Sequence, residues 1–190
     1  MFPLGRVFLF PHQVLPLHVF EPRYRRMVED LLDGAGRLVM ATIPDGESES
    51  PQRPPPVLPV AGLGEILRHE RTADGRFMIW VLGLARVCLD EVGSDRPYRR
   101  VQCRPFVEVD VPAAEAPVLI AELRAATTAR LREPLPLPES APASLLTDLL
   151  LQTLRAPADV VAHAFAEASV ARRAQFVLAQ ARNLPLPPGE

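Results

Sequence analysis

The chain has 190 residues, of which 48% are apolar and 23% charged, and its formal net charge is −2. This composition is typical of a globular protein with a buried core. It excludes a broadly basic surface that would attract nucleic acid or anionic membranes. All 21 basic residues are arginine, so the sequence lacks the lysine that a nucleotide-binding P-loop, a Schiff base or a serine–lysine dyad requires.

The start of the chain does not resemble a targeting segment. Pro3, Arg6 and Pro11 interrupt its apolar residues, whereas a secretory signal peptide has a charged start and an unbroken apolar run. The apolar stretches are all shorter than the roughly 18 residues that a membrane span needs. We therefore expect a cytoplasmic protein.

The two cysteines, Cys88 and Cys103, are too few for a disulfide framework or a zinc site. If their segments form a hairpin, the two thiols could face each other across it. Burial as small apolar residues is the preferred interpretation, and a redox switch is the alternative.

The first 110 residues contain short runs of β-branched, leucine and aromatic residues, which favour β-strands. We predict strands at Val7–Phe10, Val14–Phe20, Arg37–Ile43, Phe77–Leu82 and Tyr98–Val109. Asp74-Gly75 between two apolar runs predicts a hairpin turn. The strand after this turn is apolar on both faces, which predicts a central position in the sheet. Pro44–Pro59 is rich in proline, serine and charge, which predicts a mobile surface loop.

The pattern changes to helices after Val111. We predict helices at Pro117–Glu133, Ala143–Arg155, Pro157–Ala168 and Ser169–Leu184, and Ser169 is the expected N-cap of the last one. The second helix is leucine-rich almost all round, so it is either buried on several sides or has a partner. Strands followed by helices indicate an α+β fold, with a β-rich subdomain at residues 1–111 and a helical subdomain at 112–190.

The segment LPLHVFEPRYRRMVEDLL, residues 15–32, joins a predicted strand to a predicted helix and carries many charges. Pro22 fits the first position of the helix, and Gly34 can end it in the left-handed conformation. Two arginine–acid pairs have the i, i+4 spacing of exposed ion pairs, Arg25 with Glu29 and Arg26 with Asp30. An amphipathic helix therefore accounts for most of the charge.

His18 and Glu21 lie three residues apart, but a strand-to-helix junction does not place them on one face, and a third metal ligand is lacking nearby. We interpret Glu21 as an acceptor for the unpaired N–H groups of the helix start, and His18 as a half-buried strand residue. With Pro22, they are expected to brace the bend. The GLG at residues 62–64 precedes a strand, so it fails as a dinucleotide-binding motif.

Several stretches resemble a known family. VFLFPHQVLPLHVFEPRYRRMVEDLL, which starts at Val7, is similar to the opening of the Lon protease N-terminal domain, whose pattern is roughly "FP…vLPLhIFEpRY". The resemblance continues in register through LGEILRHERTADGRFMIWVLGLARVCLDE and PYRRVQCRPFVE, and more weakly in ARRAQFVLAQARNLP. The first three stretches cover most of residues 2–110.

The resemblance implies a PUA-like, strongly bent β-barrel followed by helices. In full-length Lon this domain precedes an ATPase module and a protease module with a serine–lysine dyad. The chain has room for neither module, so we expect a stand-alone protein that is not an enzyme and needs no cofactor. Because the family domain is implicated in recognising protein substrates and in oligomerisation, we expect binding of unfolded or exposed polypeptide segments, or of a protein partner.

A polypeptide would bind at an apolar groove of the bent sheet or between the subdomains, rimmed by arginine. The candidate binding residues are Phe20, Arg23, Tyr24, Arg26, Tyr98, Arg99 and Arg100. For each aromatic residue, burial in the core is the competing interpretation.

Three other functions stay open. The YRR sequences at residues 24–26 and 98–100 could bind RNA, although the net negative charge opposes nucleic acid. An unrecognised enzyme would need His18, Glu21 and either His12 or His69 to converge. Self-association through the leucine-rich helix would give a homo-oligomer.

Overall fold

The computed structural model describes residues 1–47, 54–131 and 137–185. The chain forms two compact units, Met1–Phe106 and Val107–Glu190. The first combines a β-sheet with one helix, and the described residues of the second form four helices. The predicted α+β class, with strands before helices, is confirmed. The subdomain boundary at residue 111 stays a prediction.

Six strands build the sheet of the first unit, namely β1 (Phe2–Gly5), β2 (Val14–Val19), β3 (Arg37–Ile43), β4 (Val60–Arg71), β5 (Phe77–Val92) and β6 (Arg100–Pro105). Their order is β1-β3-β4-β5-β2, and β6 also pairs with β5. β1 is parallel to β3, and the other pairs are antiparallel. β2 pairs with the first half of β5 and β6 with the second half. Among the described residues no other strand pairs with β2, so β2 is an edge strand.

The predicted hairpin joins β4 to β5. The Thr72 N–H donates to the Arg76 carbonyl at 2.9 Å, and the Gly75 N–H donates to the Thr72 carbonyl at 2.9 Å. Gly75 has a φ of +78°, a conformation that glycine adopts without steric cost. β5 lies between β4 and β2, so its predicted central position is also confirmed.

The prediction of a strand at Val7–Phe10 is wrong, because this run lies outside the sheet strands and crosses the sheet. A Cβ on Gly83 would lie 1.9 Å from the Phe10 carbonyl oxygen, and a Cβ on Gly62 would lie 2.3 Å from the Leu9 oxygen. Only glycine allows this close approach of two backbones. Gly62, which belongs to the GLG sequence, therefore allows the Leu9 backbone to pack directly against β4.

Helix α1 (Pro22–Leu32) begins at Pro22, as predicted, and packs against the sheet. Its buried residues Tyr24, Met27 and Val28 join the main core of this unit, as the 3.6-residue periodicity predicts. The helix ends at Asp33, and the residue with positive φ is Gly36 rather than Gly34. The predicted helix end at Gly34 is therefore wrong in its conformation.

The two cysteines do not face each other. Cys88 lies opposite Arg104, and Cys103 lies opposite Leu89. Since neighbouring residues of a strand point to opposite faces, this offset of one residue places the two thiols on opposite faces of the sheet. Cys103 is also exposed, so the expectation of two buried cysteines is wrong.

The Pro44–Pro59 loop is only partly described, because residues 48–53 lie outside the described ranges. Its end packs on the sheet. Pro55 is buried, and its carbonyl accepts a hydrogen bond from Arg99 Nη1 at 2.8 Å. The Leu58 N–H donates to the Thr42 carbonyl at 2.9 Å. The mobile-loop prediction is therefore wrong for this end of the segment.

The second unit contains α2 (Ala116–Leu131), α3 (Ala143–Thr153), α4 (Ala158–Phe165) and α5 (Val170–Asn183). The predicted end of the first of these, Glu133, lies outside the described residues. The Ser169 hydroxyl accepts from the Arg172 N–H at 3.4 Å, which confirms the predicted N-cap of α5. The leucine-rich helix α3 packs against α2 and α5, so it is buried on several sides within its own unit.

A buried arginine ties α5 to two acidic residues. The Arg173 side chain is 0% exposed, its Nη1 donates to Glu108, and its Nε lies 3.5 Å from Asp148 Oδ1. A buried guanidinium is stable only when anions and carbonyls compensate for its lost hydration. None of the described helices is long and apolar enough to cross a membrane.

Candidate functional site

The edge strand β2 exposes every second side chain. Val14, Pro16 and His18 point to solvent, whereas the alternate residues pack towards the main core. Phe20, directly after the strand, is 57% exposed, and Val14 is 48% exposed. A row of exposed apolar side chains on one strand is a feature that interaction surfaces share.

The neighbouring strand extends this row across the sheet. Leu82 lies opposite Val14, and Trp80 lies opposite Pro16; both are half-buried. We name this surface the outer face, and it consists of Val14, Pro16, Phe20, Trp80 and Leu82. Helix α1 packs on the opposite side of the sheet, where the alternate residues form the main core.

The charges beside the outer face neutralise one another. The Arg68 guanidinium lies 4.9 Å from the centre of the Trp80 ring and forms an ion pair with Glu70. One strand further along, Arg37 Nε lies 3.1 Å from Glu65 Oε2. The outer face therefore offers apolar and aromatic surface without an excess of either charge, which suits an uncharged apolar ligand.

Only one residue of the outer face, Phe20, was predicted from the sequence as a binding residue. The prediction missed Val14, Pro16, Trp80 and Leu82 because it followed the cluster of charges at the start of the helix. The signal was present in the alternation of residues 14, 16, 18 and 20, since alternate residues of a strand share one face. That alternation could not show which of the two faces of β2 is exposed to solvent in the fold.

Tyr24 belongs to the core rather than to a binding groove. It is 4% exposed, and its ring centre lies 4.5 Å from that of Phe2. The Arg23 guanidinium lies 4.5 Å above the Tyr24 ring, and its Nη2 is 2.8 Å from Glu21 Oε2. These contacts lie at the start of α1, where Pro22 occupies the first turn.

Glu21 does not act as the sequence suggested. Its side chain makes no capping hydrogen bond, and it accepts instead from the Arg23 guanidinium. The backbone carbonyl of Glu21 accepts from the N–H groups of Tyr24 and Arg25. His18 is exposed, not half-buried, and its ring centre lies 5.8 Å from that of Phe20.

Arg26 and Tyr98 meet at a shared carboxylate. The Tyr98 hydroxyl donates to Asp30 Oδ2 at 2.7 Å, and Arg26 Nη2 lies 3.0 Å from Asp30 Oδ1. The hydrogen bond from Tyr98 is the main cause that lowers the pKa of Asp30. Burial, followed by this hydrogen bond, raises the pKa of Tyr98. Of the predicted ion pairs, Arg26–Asp30 is confirmed, whereas Glu29 pairs with Arg71 at 3.1 Å.

Arg99 and Arg100 have different surroundings. Arg99 forms two hydrogen bonds with Glu91, at 2.8 Å and 2.6 Å, and these hold the pKa of Glu91 below its usual range. Arg100 Nη1 lies 3.6 Å from Asp95 Oδ1. Arg100 and Tyr98 also line a cavity of about 200 Å³ whose apolar wall includes Leu31. The predicted residues are thus not brought together: Tyr98 and Arg100 line this cavity, Tyr24 lies in the core and Phe20 on the outer face. The remaining three, Arg23, Arg26 and Arg99, form ion pairs with acidic neighbours.

His18 and His69 do not converge. His18 lies opposite Met78 and His69 lies opposite Ile79, so the two imidazoles point to opposite faces of the sheet. Across residues 1–47, 54–131 and 137–185, no three His, Cys, Asp or Glu side chains form a group that could hold a metal ion.

Comparison with known proteins identifies the family of this chain. The model of the ATP-dependent protease La (LON) substrate-binding domain matches residues 1–180. Lon protease 2 of Sorangium cellulosum is 31% identical over 184 residues, which are 92% of this chain and 22% of that protein. Lon protease 2 of Syntrophobacter fumaroxidans is 28% identical over 122 residues, 64% of this chain and 15% of that protein.

Two solved structures share the fold. The N-terminal domain of Mycobacterium avium complex Lon protease has a TM-score of 0.70 at 15% identity and covers 95% of this chain and 96% of its own. The Lon N-terminal domain protein from Xanthomonas campestris has a TM-score of 0.66 at 20% identity, with 94% and 95% covered. The chain spans less than a quarter of the length of the two full Lon proteases, those of Sorangium cellulosum and Syntrophobacter fumaroxidans. On the match over residues 1–180, the chain belongs to the Lon substrate-binding domain family.

Proposed function

We propose that this protein is a non-catalytic module that binds unfolded polypeptide segments at the outer face. The observation that carries the proposal is the exposed apolar row of β2, in a chain of the Lon substrate-binding domain family. Folded proteins seldom leave contiguous apolar surface without a partner. Unfolded chains expose apolar side chains that a folded protein buries, so they are the ligand that complements this surface.

The same contacts argue against RNA as the ligand. Three of the four arginines of the YRR sequences lie beside acidic groups, namely Arg26 beside Asp30, Arg99 beside Glu91 and Arg100 beside Asp95. Tyr24 is buried and cannot stack on a base. Nucleic-acid binding needs a cationic surface that is free to release counterions, and these arginines are already neutralised.

Binding to a permanently unfolded protein tests the proposal. We expect reduced, carboxymethylated α-lactalbumin to bind the wild-type chain in a fluorescence-anisotropy titration, and native α-lactalbumin not to bind. The double variant Val14→Ser/Phe20→Ser removes two exposed apolar side chains of the outer face. We expect it to weaken binding about tenfold or more, because each buried apolar side chain contributes roughly 1.5–3 kcal/mol.

The matched control changes two apolar residues elsewhere that are even more exposed than Val14 and Phe20. Val107 is 76% exposed and Val118 is 65% exposed, and both belong to the second unit. Val107→Ser/Val118→Ser should bind unfolded α-lactalbumin like the wild type. Equal weakening by both double variants would contradict the outer face as the site. Failure of the wild type to bind unfolded α-lactalbumin would contradict the proposed function itself.

A further inference from the structure

The edge of β2 carries backbone groups whose directions follow from its pairing with β5. The Gly83 N–H donates to the Gln13 carbonyl at 2.8 Å, so this pair is hydrogen-bonded. In an antiparallel ladder hydrogen-bonded and non-hydrogen-bonded pairs alternate. The N–H and C=O groups of Val14, Pro16 and His18 therefore point away from β5, towards the open edge.

These outward groups have no backbone partner within the described part of the chain. They comprise the N–H groups of Val14 and His18 and the carbonyls of all three residues. Proline has no N–H, and Pro16 occupies an outward position, where the loss of a donor leaves the pairing with β5 intact. The open edge thus offers two donors and three acceptors over about 13 Å, the length of roughly five strand residues.

A polypeptide backbone is the ligand that matches this spacing. Outward groups recur at every second residue, which is the repeat of a neighbouring β-strand. Side chains of such a strand would alternate between the two sides of the sheet. Those on the outer side would extend the row of Val14, Pro16 and Phe20. Because the adjacent Arg68 and Glu70 neutralise each other, this row favours uncharged apolar side chains.

We propose that an extended, uncharged apolar segment of an unfolded polypeptide binds by adding a short strand to the open edge of β2. This inference rests on the proposed function and specifies how the ligand is held. Backbone hydrogen bonds supply affinity that is independent of sequence, and the alternate side chains on the outer face supply the preference for apolar segments. Pro16 limits the added ladder, which opposes long-range pairing between copies of the chain.

Two double variants test the open edge of β2 and leave the hydrogen bonds between β2 and β5 in place. Val14→Pro/His18→Pro removes both outward donors, whereas Val14→Ala/His18→Ala removes the same side chains and keeps both N–H groups. We expect the proline pair to bind unfolded α-lactalbumin at least about tenfold more weakly than the alanine pair, since two hydrogen bonds are lost. Matching circular dichroism and melting temperatures would show that both variants fold.

Backbone methylation of the ligand gives a second readout that does not depend on variant folding. The probe is a fluorescein-labelled peptide of about seven residues with alternating valine and threonine. One isomer carries N-methyl groups on its valines and the other on its threonines. An added strand turns only one of these two sets of N–H groups towards β2. We therefore expect one isomer to lose binding at least about tenfold and the other to bind within about threefold of the parent peptide.

Each outcome decides between specific possibilities. Equal binding of the two isomers, or equal affinity of the proline and alanine pairs, would overturn strand addition. If the wild type then still binds unfolded α-lactalbumin, the proposed function survives without it. A parent peptide that does not bind would also count against strand addition. A concentration-dependent dimer that the proline pair abolishes in sedimentation velocity would identify a second copy as the occupant and refute this proposal.

Discussion

The substitution Gly83→Ala tests the crossing of the sheet that positions β2 beside β5. The new Cβ would lie 1.9 Å from the Phe10 carbonyl oxygen, whereas Cβ contacts under 3.0 Å are essentially never observed. One of the two backbones would therefore have to move by about 1 Å. The Gly83 backbone is held by hydrogen bonds to His12 and Gln13, both at 2.8 Å, and the neighbouring Leu9 is fully buried.

Overpacking of a core costs about 1–3 kcal/mol, and we expect the upper end because both partners are backbone. For a chain of this size, about 3 kcal/mol lowers the melting temperature by roughly 6–12 °C. Differential scanning calorimetry measures the shift. Gly93→Ala is the matched control, because a Cβ on Gly93 meets no atom within 4 Å. A Gly83→Ala melting temperature within about 2 °C of the wild type would refute the close approach.

Two further predictions concern buried and shared charges. Arg173→Met removes the cation that lies 3.5 Å from the buried Asp148 carboxylate, so urea denaturation should show a free energy of unfolding lower by about 3–5 kcal/mol, partly restored by adding Asp148→Asn; an unchanged stability would contradict the pairing. Tyr98→Phe removes the hydrogen bond that lowers the pKa of Asp30, so a carbon-13 NMR titration should show that pKa rising. Because a depressed carboxyl pKa stabilises the fold above its unfolded value of about 4 and loses this effect on acidification, the variant should lose less stability at low pH than the wild type.

Local patterns in the sequence correctly predicted those elements whose residues favour only one type of secondary structure. Pro22 marked the start of α1, and Ser169 marked the start of α5. The run at Val7–Phe10 has the same β-branched and aromatic content as a strand. What decides its structure is the distant glycine at position 83, which allows it to cross the sheet, and composition cannot report such a contact.

The register between paired strands is another property that the sequence does not show, and it made the prediction for the two cysteines wrong. Cys88 and Cys103 are offset by one residue across the β5–β6 pair, and a one-residue offset places side chains on opposite faces. The family resemblance was confirmed. It depends on long sequence motifs and not on how the strands pair. The outer face depends on which side of β2 stays uncovered, which is a property of the whole fold. Only Phe20 of that surface stood out in the sequence.

Site-specific photo-crosslinking tests the outer face as the binding site most directly. Phe20 on the outer face and Val118 in the second unit are both exposed, and each can be replaced in turn by the photo-reactive amino acid p-benzoylphenylalanine. We predict that unfolded, carboxymethylated α-lactalbumin crosslinks to the chain from position 20 and not from position 118. Efficient crosslinking from position 118 with none from position 20 would contradict recognition of unfolded polypeptide at the outer face.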